Sequence, residues 1–449
     1  MISEYKRKLL KIAIPIMLSS LISQFQMLID RVFLGRMGIL YMSAVGNATA
    51  PIWTSMSFIF SLSVGASVLI SQAVGSKDFE KAKEYAGAMV KFNNIIPVLL
   101  FIFWEFFSPL IYKLMGVPEN VFDLCVTYTR VYAPVFLILG ISASYSVIFQ
   151  TSNLTLPLVW YGIIRSACNV FLDYVLIFGK LGFPQMGIKG AALGTAIAEY
   201  VGFVFIAYVS IVKRKDFLTS PSLRKMIREK IGPYLKSMFK GLPTASEDFL
   251  WNFGNLMIIS ILNTISDKAA GIYSMVFAVE IIFIVIICSI GNGTLTVSGE
   301  ATGAKDLSLY RRVVGTSLKW SMYVSVVTLA VFALFPRQIL GFFTTDKAVI
   351  EESVMLLIML GINLFGKSSN IIIGNGIRGY GDTMWMLITQ ILGTVQIVCL
   401  AALFVFVFKM GVAGVFVATI LDELLRGGIN TIRFFKITFL HSLMSGFLF

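Results

Sequence analysis

An aspartate and an asparagine lie one helical turn apart inside the apolar run NVFLDYVLIFG, residues 169 to 179. These residues are Asn169 and Asp173, and Arg165 comes one turn earlier, so the three side chains share one face of a helix. A charged side chain in the middle of a bilayer costs at least about 2.5 kcal/mol. This polar stripe is therefore expected to face the interior of a helix bundle.

Two further polar residues are expected at a depth similar to that of Asp173. Asp173 lies 17 residues after Leu156, which is roughly 25 Å along a helix. Asp30, in the first apolar segment, and Thr195, in the sixth, come to a comparable level by the same count. Three segments therefore bring carboxylate, amide and hydroxyl oxygens towards one another.

This combination predicts a cation-binding site formed by Asp30, Asn169, Asp173 and Thr195. Hard oxygen ligands suit a hard cation such as Na⁺, whereas two carboxyl groups close together at low dielectric can instead hold a proton. The alternative is structural, with Asp30 paired to Arg31 or Arg165.

The composition shows what kind of scaffold must hold these residues. Of 449 residues, 57% are hydrophobic and only 14% are charged, against roughly 25% charged residues in soluble proteins. The apolar runs are long enough to cross a bilayer as helices, which need about 20 residues. The formal net charge of +13 is interpreted as an excess of Lys and Arg on cytoplasmic loops, not as a nucleic-acid surface.

The apolar runs predict an all-α polytopic membrane protein with twelve transmembrane helices in two six-helix repeat lobes around a central cavity. The predicted segments are 12–34, 45–74, 88–115, 127–150, 157–179, 187–212, 238–264, 270–298, 313–336, 350–376, 384–408 and 411–437. The linker at 213–236 carries eight Lys or Arg residues against Asp216 and Glu229, while the opposite loops mix charges that include Asp267. This bias places both termini in the cytoplasm and the protein in the cytoplasmic membrane.

The two halves of the chain are repeats of each other. A shift of 228 positions places Pro15 on Pro243, GSKD on GAKD and QTSNLT on RGYGDT. After a four-residue change in loop length, Glu199 falls on Glu423. The predicted lobes are residues 1–225 and 226–449, with parallel topology, as in some transporters.

The second lobe does not copy the predicted site. Asp30 corresponds to Ile258, and Asp173 corresponds to Ile397 or Ala401. The second lobe has acidic residues of its own, Glu247, Asp248 and Glu280. These residues are candidates for substrate contact or gating, and so are Arg165, Lys367 and Asp382. For Glu280, pairing with Lys367 or Arg165 is the alternative.

No motif indicates catalysis. The segment GINLFGKS, Gly361 to Ser368, matches the phosphate-loop pattern, but it lies in an apolar helix where no flexible loop is expected. The cysteines are single and the only histidine is His441. The thiols are interpreted as buried and structural, and an intramembrane enzyme is a secondary hypothesis.

Four segments resemble the multidrug and toxic-compound extrusion (MATE) transporters. They are DRVFLG, NVFLDYVLIFG, GIKGAALGTAIAE and RGYGDT. The resemblance implies export of amphipathic, often cationic compounds in exchange for Na⁺ or H⁺, with no cofactor. Its DinF-like branch implies a cation site in the first lobe, at residues that match Asp30, Asn169, Asp173 and Thr195.

One departure concerns the second lobe. A glutamate of the NorM-like branch, eight residues after the proline of span seven, is replaced here by Trp251, which favours a first-lobe site. The protein is thus predicted to be a monomeric secondary antiporter for small amphipathic or cationic compounds, with the lipid bilayer and no nucleic acid as its partner. A lipid-linked sugar flippase of the same general plan is the alternative within transport.

Overall fold

The computed structural model describes residues 3–446 apart from 214, 216 and 267, and only the backbone of residues 39, 223 and 439–446. Arg214, Asp216 and Asp267, which belong to the charged loops of the predicted topology, lie outside the described residues. The described residues form helices joined by short turns. These helices are α1 (Glu4–Met37), α2 (Ile39–Gly75), α3 (Phe79–Phe92), α4 (Ile95–Leu114), α5 (Glu119–Tyr132), α6 (Phe136–Thr151), α7 (Leu156–Phe178), α8 (Ile188–Val212), α9 (Leu223–Arg228), α10 (Ile231–Asn263), α11 (Ala269–Gly303), α12 (Leu307–Leu334), α13 (Pro336–Gly341), α14 (Lys347–Tyr380), α15 (Thr383–Ala402) and α16 (Gly411–Gly446).

The helices confirm the all-α architecture of twelve predicted spans. Ten spans within the described residues are long and apolar enough to cross a membrane. The segments predicted at 238–264 and 411–437 are the long helices α10 and α16. These two helices carry internal charged residues, which lowers their average hydropathy. The predicted span 88–115 begins within α3 and continues as α4 after a turn at Asn93 and Asn94.

The repeated sequence motifs produce the same local structure in both halves. In GSKD and GAKD, Lys77 and Lys305 adopt left-handed backbone angles of 61° and 57° in φ. The aspartates that follow cap α3 and α12, since Asp78 accepts from the amide of Lys81 at 3.0 Å and Asp306 from that of Leu309 at 2.8 Å. The bond from this amide lowers the pKa of the Asp306 carboxyl.

A second turn is also repeated, and its backbone conformation explains why asparagine in one half corresponds to glycine in the other. Asn153 and Gly381 correspond under the 228-residue shift, and both have positive φ, at 57° and 101°. Glycine and asparagine are the residues that tolerate this conformation. The next residue in the second half, Asp382, caps α15 through the amide of Trp385.

By internal contacts the chain forms two compact units. One comprises Met1–Ile14, Gly75–Lys77 and Ser246–Phe449, and the other comprises Pro15–Val74 and Asp78–Ala245. The units therefore divide α1 at Pro15 and α10 just after Pro243, where the missing proline N–H interrupts the helical hydrogen bonds. The lobe boundary between residues 225 and 226 describes the repeats along the sequence and stays a prediction.

Each unit contains a helix end that comes from the other half of the sequence. In the unit that contains Ser246–Phe449, Lys8 of α1 donates to Glu300 of α11 at 3.0 Å. In the unit that contains Pro15–Val74, Gly65 of α2 packs against Gly241 of α10 so closely that a Cβ on Gly65 would lie 2.3 Å from the Gly241 nitrogen. Any side chain at Gly65 would force this helix pair apart.

Candidate cation site in the first lobe

The candidate site lies where α1, α7 and α8 meet. Its α7 residues are fully buried, with Asn169 0% and Asp173 1% exposed. Asn169 donates from Nδ2 to the Thr195 hydroxyl of α8 at 3.1 Å and to Asp173 Oδ1 at 3.4 Å. The stripe predicted on α7 therefore faces the bundle interior, and the structure brings its amide and carboxyl groups to α8.

Gln26 of α1 connects Asp30 to the α7 residues, although it is not among the residues predicted from the sequence. Its Nε2 donates to Asn169 Oδ1 at 2.7 Å and approaches Asp30 Oδ2 at 3.5 Å. Its Oε1 accepts from the Ser166 hydroxyl at 3.0 Å. The spacing of Gln26 and Asp30, one helical turn apart on α1, is the sequence signal that could have found this residue.

The carboxyl groups of Asp30 and Asp173 are neighbours that Gln26 and Asn169 connect by hydrogen bonds. Asp30 Oδ1 and Asp173 Oδ2 accept no hydrogen bond from any donor in the described chain, and both atoms are buried. Two neighbouring carboxyl groups repel each other when both are charged, and a shared proton or a cation between them removes that repulsion. All four predicted residues are thus grouped around two incompletely bonded acids.

Close helix packing fixes the position of Asp173. Gly194 of α8 faces it, and a Cβ at this position would lie 2.3 Å from Asp173 Oδ1. Gly190, one turn earlier, packs in the same way on the backbone of Leu176. The GAALG segment thus forms a small-xxx-small contact with α7, the pattern by which helices approach closely in membranes.

Arg165 does not neutralise the two acids. Its Nη1 donates to Glu199 of α8 at 2.5 Å, and its Nη2 donates to the Ser23 hydroxyl at 2.6 Å. Glu199 also accepts from the Tyr161 hydroxyl at 3.0 Å. The structural alternative for Asp30 is wrong in this respect, because Arg165 has Glu199 as its partner. Among the described residues, no ion pair includes Asp30.

The equivalent place in the second lobe is apolar. Ile258, which corresponds to Asp30, is 1% exposed, and Ala401, which corresponds to Asp173, is 0% exposed. Both belong to one buried cluster with Phe332 and Leu357. A cation there would meet no oxygen ligand from these two positions.

The acids of the second lobe form ion pairs instead. Glu280 of α11 pairs with Lys367 of α14 at 2.7 Å, so of the two partners considered for Glu280, the structure selects Lys367. Glu247 of α10 pairs with Arg378 at 2.6 Å. Lys367 lies inside the continuous helix α14, which confirms that GINLFGKS is no phosphate loop.

The remaining residues predicted from the sequence lie at a helix end or at isolated positions within the helices. Asp382 caps α15 and pairs with Arg433 at 2.6 Å, which indicates a structural part for this carboxyl. Asp248 of α10 is half-buried. The thiols are free, but Cys399 is exposed on the surface of the protein, so the expectation of a buried thiol is wrong there because its helix face is turned outward.

Glu199 and Glu423 occupy equivalent positions in the two lobes, but their arginine partners come from helices that are not equivalent. In the first lobe Arg165 of α7 reaches Glu199, while Gly202 of α8 leaves room for it. In the second lobe Arg426 of α16, which corresponds to Gly202, reaches Glu423 at 3.3 Å. It packs on Gly393, the counterpart of Arg165, where a Cβ would lie 2.3 Å from Arg426 Cδ. Arginine and glycine have thus exchanged helices.

This exchange predicts that the arginine can be moved within the first lobe. Arg165→Gly alone should cost up to about 3 kcal/mol, because it leaves Glu199, whose side chain is only 12% exposed, without its ion-pair partner. Gly202→Arg alone should also destabilise, because a Cβ there meets the Tyr161 ring at 2.6 Å. The triple variant Y161T/R165G/G202R places the residue types of Thr389, Gly393 and Arg426 at these positions and should recover part of the loss in thermal unfolding in detergent. Recovery is only partial because Ala198 stands where the second lobe has Asp422, the nearer partner of Arg426. A triple variant no more stable than R165G would contradict the exchange.

The fold and the site together define a class of protein. Long apolar helices in two sequence repeats, with grouped interior acids in one repeat, characterise a multi-pass secondary transporter rather than an enzyme. A family model described as MatE matches residues 15–175 and again 243–403, and the two matches are offset by the same 228 residues that relate the halves. The chain therefore belongs to the MATE family, and the internal repeat is confirmed.

Curated relatives cover most of the chain at low identity. A probable multidrug resistance protein NorM of Thermotoga maritima is 26% identical over 96% of this chain and 93% of its own length. A probable multidrug resistance protein YoeA of Bacillus subtilis is 25% identical over 84% of this chain and 82% of its own. Membership of the DinF-like branch stays a prediction.

Solved structures show the same fold. A MOP superfamily transporter from Pyrococcus furiosus, whose binding pocket is described as having reverse polarity, aligns with a TM-score of 0.90 and 22% identity over 97% of this chain and 96% of that one. An outward-facing multidrug resistance MATE family transporter aligns with a TM-score of 0.87 and 21% identity over 97% and 96%. These likenesses concern the fold alone.

Proposed function

We propose that this protein is a cation-coupled multidrug antiporter of the cytoplasmic membrane, with both termini in the cytoplasm, that exports amphipathic, often cationic compounds. The observation that carries the proposal is the pair of Asp30, which is half-buried, and Asp173, which is buried, each with a buried oxygen that lacks a donor in the described chain. The names of the NorM and YoeA relatives support multidrug compounds as the cargo.

The pair can couple an ion gradient to a change of conformation. A cation drives transport only if it binds one conformation more tightly than another. Here the two carboxyl groups come from α1 and α7, so a cation between them stabilises the arrangement in which these helices are close. Its release leaves two like charges at low dielectric and favours their separation.

The hydrogen-bond directions make the proton the first ion to test. Asn169 directs its nitrogen towards Thr195 and Asp173, while its oxygen accepts from Gln26. A Na⁺ site that uses the Asn169 oxygen requires this amide to turn over and lose the bond to Gln26. A proton shared between the carboxyl groups requires no such change.

Transport by the purified protein in sealed vesicles identifies the coupling ion. Efflux of a fluorescent amphipathic cation is expected when an inward proton gradient is imposed, and an equal Na⁺ gradient at symmetric pH should drive much less. The reverse preference would assign Na⁺ to the same acids. Absence of efflux under both gradients, together with movement of a lipid-linked sugar, would overturn the antiporter proposal in favour of a flippase.

A further inference from the structure

The linker that joins the two halves of the chain, residues 213–236, is anchored on the helices of the first half. The ring centroids of Phe217 and Phe149 lie 4.9 Å apart, and Phe217 is 4% exposed. Thr219 is buried, and its hydroxyl lies 2.8 Å from that of Ser152. These contacts hold the linker at the end of α6 and fix the position of the helix that follows, α9.

The helix α9 lies along α3 and is fixed to it by charged groups. Lys225 of α9 donates to Glu80 Oε2 at 2.9 Å. In the other direction, Lys91 of α3 donates to the backbone carbonyl of Ile227 at 2.7 Å. Met226 packs against a buried cluster of the same unit. The side of α9 that carries Lys225 and Met226 therefore faces the protein.

The other side of α9 carries an exposed apolar residue between cations. Ile227 is 75% exposed, although it is a large aliphatic residue. Arg224 and Arg228 are also exposed and lie on the same face, since residues three and four apart are neighbours on a helix. Within the described part of the linker, neither arginine takes part in an ion pair, and the same holds for the exposed Lys230. The acid of this stretch, Glu229, lies with its Cγ against α3, which leaves the outer face of α9 positively charged.

The apolar part of this face continues in the sequence along α10. Exposed apolar side chains recur at every third or fourth position from the beginning of this helix, which places them on one side of it. They are Ile231 at 46%, Leu235 at 36%, Phe239 at 63% and Leu242 at 39% exposure. A continuous apolar strip on the outside of a membrane helix is a surface for lipid. Ile227 lies four residues before this strip begins, so the outer face of α9 adjoins a part of the chain that contacts lipid.

We propose that the outer face of α9 docks on the surface of the bilayer and binds the headgroups of anionic phospholipids. Ile227 enters the boundary between headgroups and acyl chains. The cations around it, Arg224, Arg228 and Lys230, each strengthen binding to an anionic surface by about fivefold. A second copy of the chain that docked through the same face would bring like charges together, which disfavours that partner. The lipid contact depends on neither the coupling ion nor the cargo.

A fluorescent label in place of the exposed isoleucine measures whether this face reaches lipid. Ile227→Cys is labelled with a bimane maleimide in a Cys399→Ala background, because Cys399 is an exposed thiol. The full chain is placed in nanodiscs of phosphatidylcholine alone or of an equimolar mixture with phosphatidylglycerol, both containing a lipid with a spin label near its headgroup as the quencher. Quenching should be at least about twofold stronger in the anionic discs, because the cations draw the face towards the phosphates. Equal quenching in the two lipids would overturn the proposal.

Salt and the removal of charge show whether the attraction is electrostatic. In about 1 M salt, where the Debye length falls to about 3 Å, the extra quenching should disappear. The triple variant R224Q/R228Q/K230Q should lose it as well. The matched control K180Q/K189Q/K268Q removes three exposed lysines elsewhere in the chain and should retain it. Full lipid dependence in R224Q/R228Q/K230Q, or an equal loss in the control, would contradict the proposal.

The test remains decisive if the triple variant fails to fold, because the comparison of lipids and of salt concentrations uses the native cations. Energy transfer between labelled copies in vesicles, with no dependence on anionic lipid, would assign the face to a second copy of the chain instead. Because the label is read without any gradient, lipid dependence in a protein that couples to neither ion would refute the coupling proposal alone. Its absence in a protein that couples to an ion would refute the docking surface alone.

Discussion

An Asp173→Asn variant is expected to lose gradient-driven efflux while the protein remains folded. Asparagine keeps the shape and the contact with Asn169, which lies 3.4 Å from Asp173 Oδ1, but it can neither bind a proton nor pair with a cation as a carboxylate does. Because coupling requires different affinities in the two conformations, the initial efflux rate should fall at least about tenfold, a loss equivalent to about 1.4 kcal/mol. Asp30→Asn should behave alike.

The control for this experiment is the same chemical change at an exposed site. Asp123 of α5 is exposed, so Asp123→Asn should leave efflux unchanged. Thermal unfolding in detergent should show that D173N is as stable as the parent protein or more stable, because a buried acid has been made neutral. Unchanged gradient-driven efflux in D173N would refute the assignment of the cation site.

Gly194→Ala is the second substitution with a large expected effect, although it removes no polar group. The new Cβ would lie 2.3 Å from Asp173 Oδ1, so the carboxylate must turn away from its present position. The nearest displaced atom is the end of a side chain, although the new Cβ would also lie 3.3 Å from the Asp173 backbone nitrogen. Alanine is favoured over glycine in a helix by about 1 kcal/mol, which offsets part of the cost of shifting these atoms. Efflux should therefore fall close to the level of D173N while the unfolding temperature changes little.

Gly46→Ala is the matched control, because a Cβ on Gly46 of α2 would meet nothing within 4 Å. It should leave both efflux and stability near those of the parent protein. The two variants are compared by initial rates in vesicles and by thermal unfolding. Full efflux in G194A would show that the position of the Asp173 carboxylate is not critical.

The distribution of polar residues made much of this protein predictable from its sequence. Asn169 and Asp173 one turn apart in an apolar run, and Asp30 and Thr195 at matching depths, indicated one buried cluster because a bilayer penalises charges that face lipid. The 228-residue shift predicted the two repeats, which the family model matches twice. The same turns with left-handed residues then recur at Asn153 and Gly381.

Other features depended on which helices touch, and sequence spacing does not give that. Gln26 gave little signal by itself, because its importance comes from contacts with Asn169 of another helix. Arg165 lay on the predicted polar stripe, but its partner proved to be Glu199 of α8. A charged group can pair with any opposite charge within reach, so the sequence left the partners of Arg165 and Glu280 open.

The sequence by itself therefore determined the membrane architecture, the repeat and four of the residues of the candidate site, but not Gln26. These follow from periodicity and from the cost of placing polar groups in lipid, which are properties of single segments. Only the tertiary structure showed that Gly194 packs directly against Asp173 and that Lys367 pairs with Glu280. It also showed that the arginine beside the equivalent glutamates comes from a different helix in each lobe, with glycine at the position facing it. Such facts arise from distances between segments far apart in the chain, which helix packing and ion pairing fix only in the folded protein.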